Sequence, residues 1–236
     1  AILALFKYAN FFAEGVLELV GVSHQPWTII LPLGISFFTF QQISYLIDVK
    51  RGEAIEYGLL EYATYVSFFP QLIAGPIVRH GELIPQFKLD PKRQELMELA
   101  GRGLVLFTLG LIKKVFFADE LAPIADEGFA TAAVISAGDA WTSAVAYSLQ
   151  LYFDFSSYSD MAIGLGALFG FRLPVNFDSP YKALDIRDFW RRWHITLSNF
   201  LRDYVYIPLG GSRGGLWVTC GIVMITMVLC GLWHGA

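Results

Sequence analysis

Charge is scarce in this chain. Only 16% of its 236 residues are Asp, Glu, Lys or Arg, while 55% are hydrophobic. Soluble domains carry about 25% charged residues. Too little polar surface remains to face water, which excludes an ordinary soluble domain and indicates an all-α, polytopic integral membrane protein. Cysteine is nearly absent, with Cys220 and Cys230 the whole supply. Ten residues apart on one helix, they would lie about 15 Å apart, too far to bridge, and they read as small packing residues. The sequence has no G-x-S-x-G, no C-x-x-C and no P-loop, so it offers no protein nucleophile or phosphate cradle of those kinds. His194 and His234 are 40 residues apart, without a Cys cluster or a close His/carboxylate spacing, a poor zinc signature, so no metal site is expected. A signal-peptide pattern is missing as well. The chain opens "AILALFKYANFF" without Met and reads as the core of a longer protein, a single membrane domain over residues 1–236.

Aromatic residues are plentiful: 20 Phe, 11 Tyr and 6 Trp. Such an excess suits a protein that must fill two membrane interfaces. Charge is unevenly placed. Residues 1–61 hold three basic and six acidic side chains, whereas residues 172–213 hold seven basic and four acidic ones. The positive-inside rule puts the second region on the cytoplasmic side. Lying between apolar runs, it is not a nucleic-acid surface.

A spanning helix needs about 20 mostly apolar residues. Candidate spans are 1–22, 27–47, 59–78, 102–118, 133–153, 156–171 and 216–236. Pro70, Gly75 and Pro76 in "FFPQLIAGPIVRH" forbid a straight lipid-exposed helix, so 66–80 reads as a re-entrant or broken element beside an interior cavity, or as an interfacial loop. In "YFDFSSYSDMAIG", Asp154 and Asp160 sit among apolar residues, where carboxylates are costly and face a polar interior. Pairing with nearby basic groups and lining of a substrate tunnel both account for them.

Residues 184–206, "LDIRDFWRRWHITLSNFLRDYVY", carry helix signals: Asp185 as N-cap, Asp188 three positions on, and Pro208 beyond the far end. On a helical wheel Arg187, Arg191, His194, Ser198 and Arg202 share one sector, and the apolar and aromatic residues share another. That pattern describes a cytoplasmic-side interfacial amphipathic helix. Anchoring to anionic membrane lipids explains the basic stripe; reception of a phosphate-bearing ligand by Arg187 and Arg191 explains it equally.

Among the histidines, His24 reads as a surface loop residue and His80 as interfacial. His194 and His234 differ, because each is embedded in aromatic, otherwise apolar sequence ("RRWHITL", "GLWHGA"). Without a nucleophile motif, the chemistry open to them is direct transfer. A neutral imidazole accepts the proton of an acceptor hydroxyl as that oxygen attacks an activated carbonyl.

Five blocks carry a resemblance: "LPLGISFFTFQQISYLIDVKRG", "FFPQLIAGPIVRH", "YFDFSSYSDMAIGLGALFGFRLPVNFDSPY", "DFWRRWHITLSNFLRDYVYIPLGGSR" and "LCGLWHGA". In this order they resemble the membrane-bound O-acyltransferase (MBOAT) family, and within it the bacterial alginate-type acetyltransferases. The resemblance implies a multi-helix enzyme of the bacterial inner membrane that moves an acyl group from a thioester donor to a hydroxyl. It implies His234 as the main catalytic residue and His194 as a supporting one that orients the donor or polarises its thioester carbonyl. Acetyl-CoA is the implied donor, not a tightly bound cofactor. The implied acceptor is an extracytoplasmic polysaccharide such as alginate, reached directly or through a separate SGNH-hydrolase-like partner.

Other readings stay open at this level. A D-alanyl or peptidoglycan acyltransferase of the same family would differ in donor carrier and acceptor. A proton-coupled transporter would use the histidines and buried aspartates as a path. An assembly scaffold would need neither histidine. If 217–234 is helical, His234 lies about 25 Å along it from Trp217, so a meeting with His194 requires tilted, broken or re-entrant helices.

Overall fold

In the computed structural model the described residues are 2–19, 25–30, 32, 34–72, 75–90, 92–131 and 134–234, and among them regular structure is entirely helical. His24, Gly235 and Ala236 lie outside them. The chain divides into two compact units, Ala1–Ile55 with Asn199–Ala236, and Glu56–Ser198.

In the first unit, α1 (Ile2–Leu19) and α2 (Ile35–Arg51) precede the unit's return at Asn199, and α10 (Gly215–His234) closes the chain. Helix α2 starts and stops at glycines, Gly34 and Gly52, both in the left-handed region (φ 73° and 74°). The Gly52 N–H donates to the carbonyls of Asp48 and Val49, a closure that glycine allows without a Cβ penalty. Gln41, Ser44 and Asp48 form a buried polar stripe on α2, and Asp48 accepts a hydrogen bond from Tyr204 at 2.7 Å. Among the described residues, α10 is the helix long and apolar enough to cross a membrane. Its 20 residues span about 30 Å, the thickness of the hydrocarbon core. Only 11% of its apolar window is buried, unlike a soluble core helix.

The second unit holds α3 (Leu59–Val66), α4 (His80–Leu83), α5 (Leu96–Lys113), α6 (Asp119–Ala130), α7 (Ala137–Leu168), α8 (Ile186–Arg192) and the start of α9 (Ile195–Leu201). Helix α7 fuses two spans that the sequence separates. Its 32 residues extend about 48 Å. The polar run 154–160 does not interrupt it, because Ser157 satisfies its hydroxyl on the Asp154 carbonyl (2.8 Å) and both carboxylates are paired. Its buried positions are all small: Ser, Ala and Gly.

That composition lets α5 and α7 meet backbone to backbone. A Cβ on Gly164 would stand 2.6 Å from the Gly103 carbonyl, and one on Gly110 would stand 2.8 Å from the Ser157 carbonyl. Small residues at membrane helix contacts serve this purpose. A π-turn, Lys114–Ala118, joins α5 to α6.

The segment around Pro70 and Pro76 is indeed broken. A 3-10 turn (Phe69–Gln71), residues 76–79 without regular structure, α4 and a second 3-10 turn (Ile84–Lys88) replace a helix. These pieces are a core, with Tyr65, Val78, Leu83 and Ile84 fully buried and Leu173 packed on them. The Tyr65 hydroxyl donates to the Val78 carbonyl (2.8 Å), and the Gln71 amide donates to the Tyr65 carbonyl (2.8 Å). Side chains thus satisfy buried backbone carbonyls in a segment without continuous helical bonding.

Candidate functional site

Residues 184–206 do not form one helix. Helix α8 ends at Arg192, Trp193 is extended (φ −96°, ψ 126°), His194 is left-handed (φ 43°), and α9 begins at Ile195; a π-turn follows at Arg202–Tyr206. The single basic stripe read from the helical wheel is therefore divided. Arg187 and Arg191 stay exposed on α8, whereas His194 turns inward and is 2% exposed. A positive φ on a non-glycine residue is strained; here neighbouring bonds hold it. The Ile195 N–H donates to the Asn176 carbonyl (2.9 Å), and the Ser198 N–H donates to the His194 carbonyl (3.0 Å).

Around His194 the surroundings are aromatic on the faces and polar at one edge. Phe155 stands edge-on at 4.7 Å between centroids, and Phe177 lies near-parallel at 6.4 Å. Trp193, beside it, packs into Tyr152, Phe177, Tyr181 and Phe189. His194 Nδ1 lies 3.1 Å from Asn176 Oδ1. That oxygen also receives the Thr196 N–H (3.3 Å) and the Thr196 hydroxyl (2.9 Å). The Thr196 hydroxyl oxygen accepts the Ile77 N–H (2.9 Å), and the Asn176 amide donates to Ser159 (3.1 Å). One network thus ties α7, the loop after it, the broken proline segment and the start of α9 to a single imidazole.

His234 lies in the other unit, at the last described turn of α10. It is exposed, and its ring meets Trp233 edge-on at 4.2 Å. Its Nδ1 is 2.9 Å from the Cys230 carbonyl and 3.5 Å from the Cys230 sulfur. Lys7 and Tyr8 of α1 donate to the carbonyls of Trp233 and Leu232, and the Lys7 ammonium stands 5.7 Å from the Trp233 ring centre. A cation at a helix C-terminus complements the macrodipole. Lys7, an interruption in an apolar run, is thus a brace for the end of α10. Phe37 and Phe40 of α2 also flank Trp233.

The remaining sequence candidates fall in other places. Asp160 pairs with Lys113 and Asp154 with Lys114, each at 2.5 Å, and Lys114 also reaches Asp119 at 2.7 Å. Pairing, one of the two readings of these aspartates, is what the second unit contains. Arg192, rather than Arg187 or Arg191, is engaged, holding Asp188 (3.0 Å) and Asp178 (3.5 Å). Asp185 caps α8 as the sequence predicts. The Asp188 N–H (2.8 Å) chiefly holds its carboxyl below the usual carboxylate range, with the Arg187 N–H and the charges of Arg187 and Arg191 assisting. His80, expected at an interface, is buried with its Nδ1 3.1 Å from the Tyr57 hydroxyl. Cys220 is exposed and Cys230 half-buried, so only Cys230 fits the packing role expected of both. Asn176 and Thr196 were not legible as site residues, and Ser159 only as one polar residue of the run 154–160, although a lone Asn between Val175 and Phe177 is the sort of isolated polar residue that signals an interior partner. Among the described residues, no group of three His, Cys, Asp or Glu could hold a metal.

Residues 54–236 match the family model described as MBOAT, membrane-bound O-acyltransferase family. The chain is 49% identical over 240 residues to the probable alginate O-acetylase AlgI of Pseudomonas aeruginosa, covering 100% of this chain and 45% of that one. It is 47% identical over 263 residues to the peptidoglycan O-acetyltransferase of Helicobacter pylori, covering 100% of this chain and 50% of that one. Similarity to the teichoic acid D-alanyltransferase of Streptococcus thermophilus is 29% over 215 residues, covering 86% and 52%. The chain spans about half the length of the curated relatives it matches. With the family model covering more than three quarters of its residues and two of these relatives aligned across its whole length, the chain belongs to the membrane-bound O-acyltransferase family.

Proposed function

We propose that the protein to which this chain belongs is a multi-pass O-acyltransferase of the bacterial inner membrane. It transfers an acetyl group from a thioester donor, acetyl-CoA, to hydroxyls of an extracytoplasmic polysaccharide. The observation that carries this reading is the tethering of His234. A backbone carbonyl can only accept, so the Cys230 oxygen at 2.9 Å takes the Nδ1 hydrogen. In the neutral ring Nε2 then bears the lone pair, as a general base requires. The acceptor O–H gives its proton to His234 Nε2 while its oxygen bonds to the thioester carbonyl carbon. The C–S bond then breaks, and the departing thiolate takes the proton from the imidazolium and leaves as a thiol. His194 orients the donor in this scheme, and Arg187 and Arg191 receive its phosphates.

The relatives support a polysaccharide acceptor, since those at 47–49% identity are named for alginate and peptidoglycan acetylation. The acetyl group reaches the polymer directly or through an SGNH-hydrolase-like partner. Membranes containing the full-length protein should move a labelled acetyl group from acetyl-CoA to polysaccharide or partner. Replacing His234 by Ala should abolish that transfer while leaving the protein folded. Retained transfer in the variant would sink the assignment, and proton-coupled uptake without covalent transfer would favour a transporter.

A further inference from the structure

We infer that Asn176 is a positioning residue that fixes the tautomer of His194, so that His194 meets its ligand as a hydrogen-bond acceptor at Nε2. The inference rests on the proposed placement of His194 in the acyl-transfer site.

The orientation of the Asn176 amide follows from its neighbours. The Thr196 backbone N–H can only donate, and it points at the Asn176 atom 3.3 Å away. The Thr196 hydroxyl oxygen already accepts the Ile77 N–H, which leaves its own hydrogen for the same Asn176 atom, 2.9 Å away. Two donors converge there, so that atom is the amide oxygen, and the NH2 group faces Ser159 at 3.1 Å. A flipped amide would set N–H against N–H in a site where Asn176 has no measurable exposure. Leaving such a buried donor unsatisfied costs about 1–3 kcal/mol, enough to hold one orientation at better than 80% even at the low end.

With the oxygen so placed, His194 Nδ1 at 3.1 Å must carry a hydrogen. The neutral ring is then Nδ1–H with the lone pair on Nε2, the opposite of the tautomer that free imidazole side chains favour in water. This decides between the two roles assigned to His194 by resemblance. Polarising a thioester carbonyl needs an N–H at Nε2, which this tautomer lacks. Accepting a hydrogen bond from a donor or acceptor group, a hydroxyl or an amide N–H, is what it provides. Phe155 and Phe177 hold the ring plane while Asn176 selects the nitrogen.

The test is 15N spectroscopy of the full-length protein in nanodiscs with 15N-labelled histidine, the His194 signals identified by their loss in His194→Gln. The wild-type ring should show a protonated Nδ1 and a bare Nε2 at neutral pH. Asn176→Asp keeps the oxygen and should keep the tautomer, with Ser159 turning its hydroxyl to donate. Asn176→Leu should shift the ring toward Nε2–H and lower kcat about 10–100-fold, the span that loss of an orienting partner costs histidines at metal sites, with a smaller change in KM. A wild-type spectrum showing Nε2–H, or a tautomer unchanged in Asn176→Leu, overturns the inference. If Asn176→Leu fails to fold, the wild-type and Asn176→Asp spectra still decide it. Full acyl transfer by His194→Gln would instead overturn the functional reading of His194 while leaving the tautomer result intact.

Discussion

At the scale of single residues, His194 and His234 solve one problem in two ways. Each has its Nδ1 against an oxygen of carbonyl type, supplied by the Asn176 side chain in one case and by the backbone four residues earlier in the other. A helix offers the second solution for free, since residue i−4 lies directly beneath a C-terminal side chain. The first needs a partner 18 residues away and a backbone bent to reach it. Thr196 supports that bend by bridging Ile77 and Asn176. Thr196→Val keeps the shape but removes the oxygen, leaving the buried Ile77 N–H without its acceptor. We expect a loss of about 1–3 kcal/mol, read as a lower unfolding midpoint in detergent.

At the scale of elements, the α5–α7 seam and the ion pairs beside it carry separable predictions. Gly164→Ala places a methyl against the Gly103 carbonyl and the Phe107 amide nitrogen, both backbone atoms that cannot swing aside. Overpacking of this kind costs about 1–3 kcal/mol. Gly221→Ala on α10 meets nothing within 4 Å and should change the unfolding midpoint little. Lys113 and Asp160 are each about a quarter exposed, so Asp160→Asn strands a partly buried ammonium and should lower the midpoint. Adding Lys113→Met should recover most of the loss, because an apolar replacement of both partners removes the stranded charge. Loss of acyl transfer in a stable double variant would return Asp160 to the tunnel wall.

At the scale of the whole molecule, the basic excess in 172–213 sets an expected topology. In a background with Cys220 and Cys230 replaced by Ala, a single cysteine at the exposed position Lys182 should be labelled in inside-out vesicles. Intact spheroplasts should leave it unlabelled by a membrane-impermeant reagent. Labelling from outside would reverse the expected orientation. The same scale explains a difference in helix count. Hydropathy alone cuts α7 into two spans, because Asp154 and Asp160 look like interruptions until their lysine partners on α5 and the following π-turn are in place.

The membrane character, the helical class, the broken proline segment and the Asp185 cap were all legible in the sequence, which also singled out His194 and His234 as candidates. These depend on composition, on local backbone limits and on motifs that are contiguous in the chain. Only the tertiary structure decided that 184–206 breaks at His194, that His80 is buried, and that Asn176, Thr196 and Ser159 surround the imidazole. Helical periodicity extrapolates across 184–206 because each residue taken alone tolerates a helix. The bonds that reverse the chain at His194 come from Asn176 and Ser198, and the one that anchors its ring comes from the Asn176 side chain. A hydrogen bond between residues 18 positions apart leaves no periodic trace in the sequence, so the folded chain had to bring its partners together before either one could be recognised.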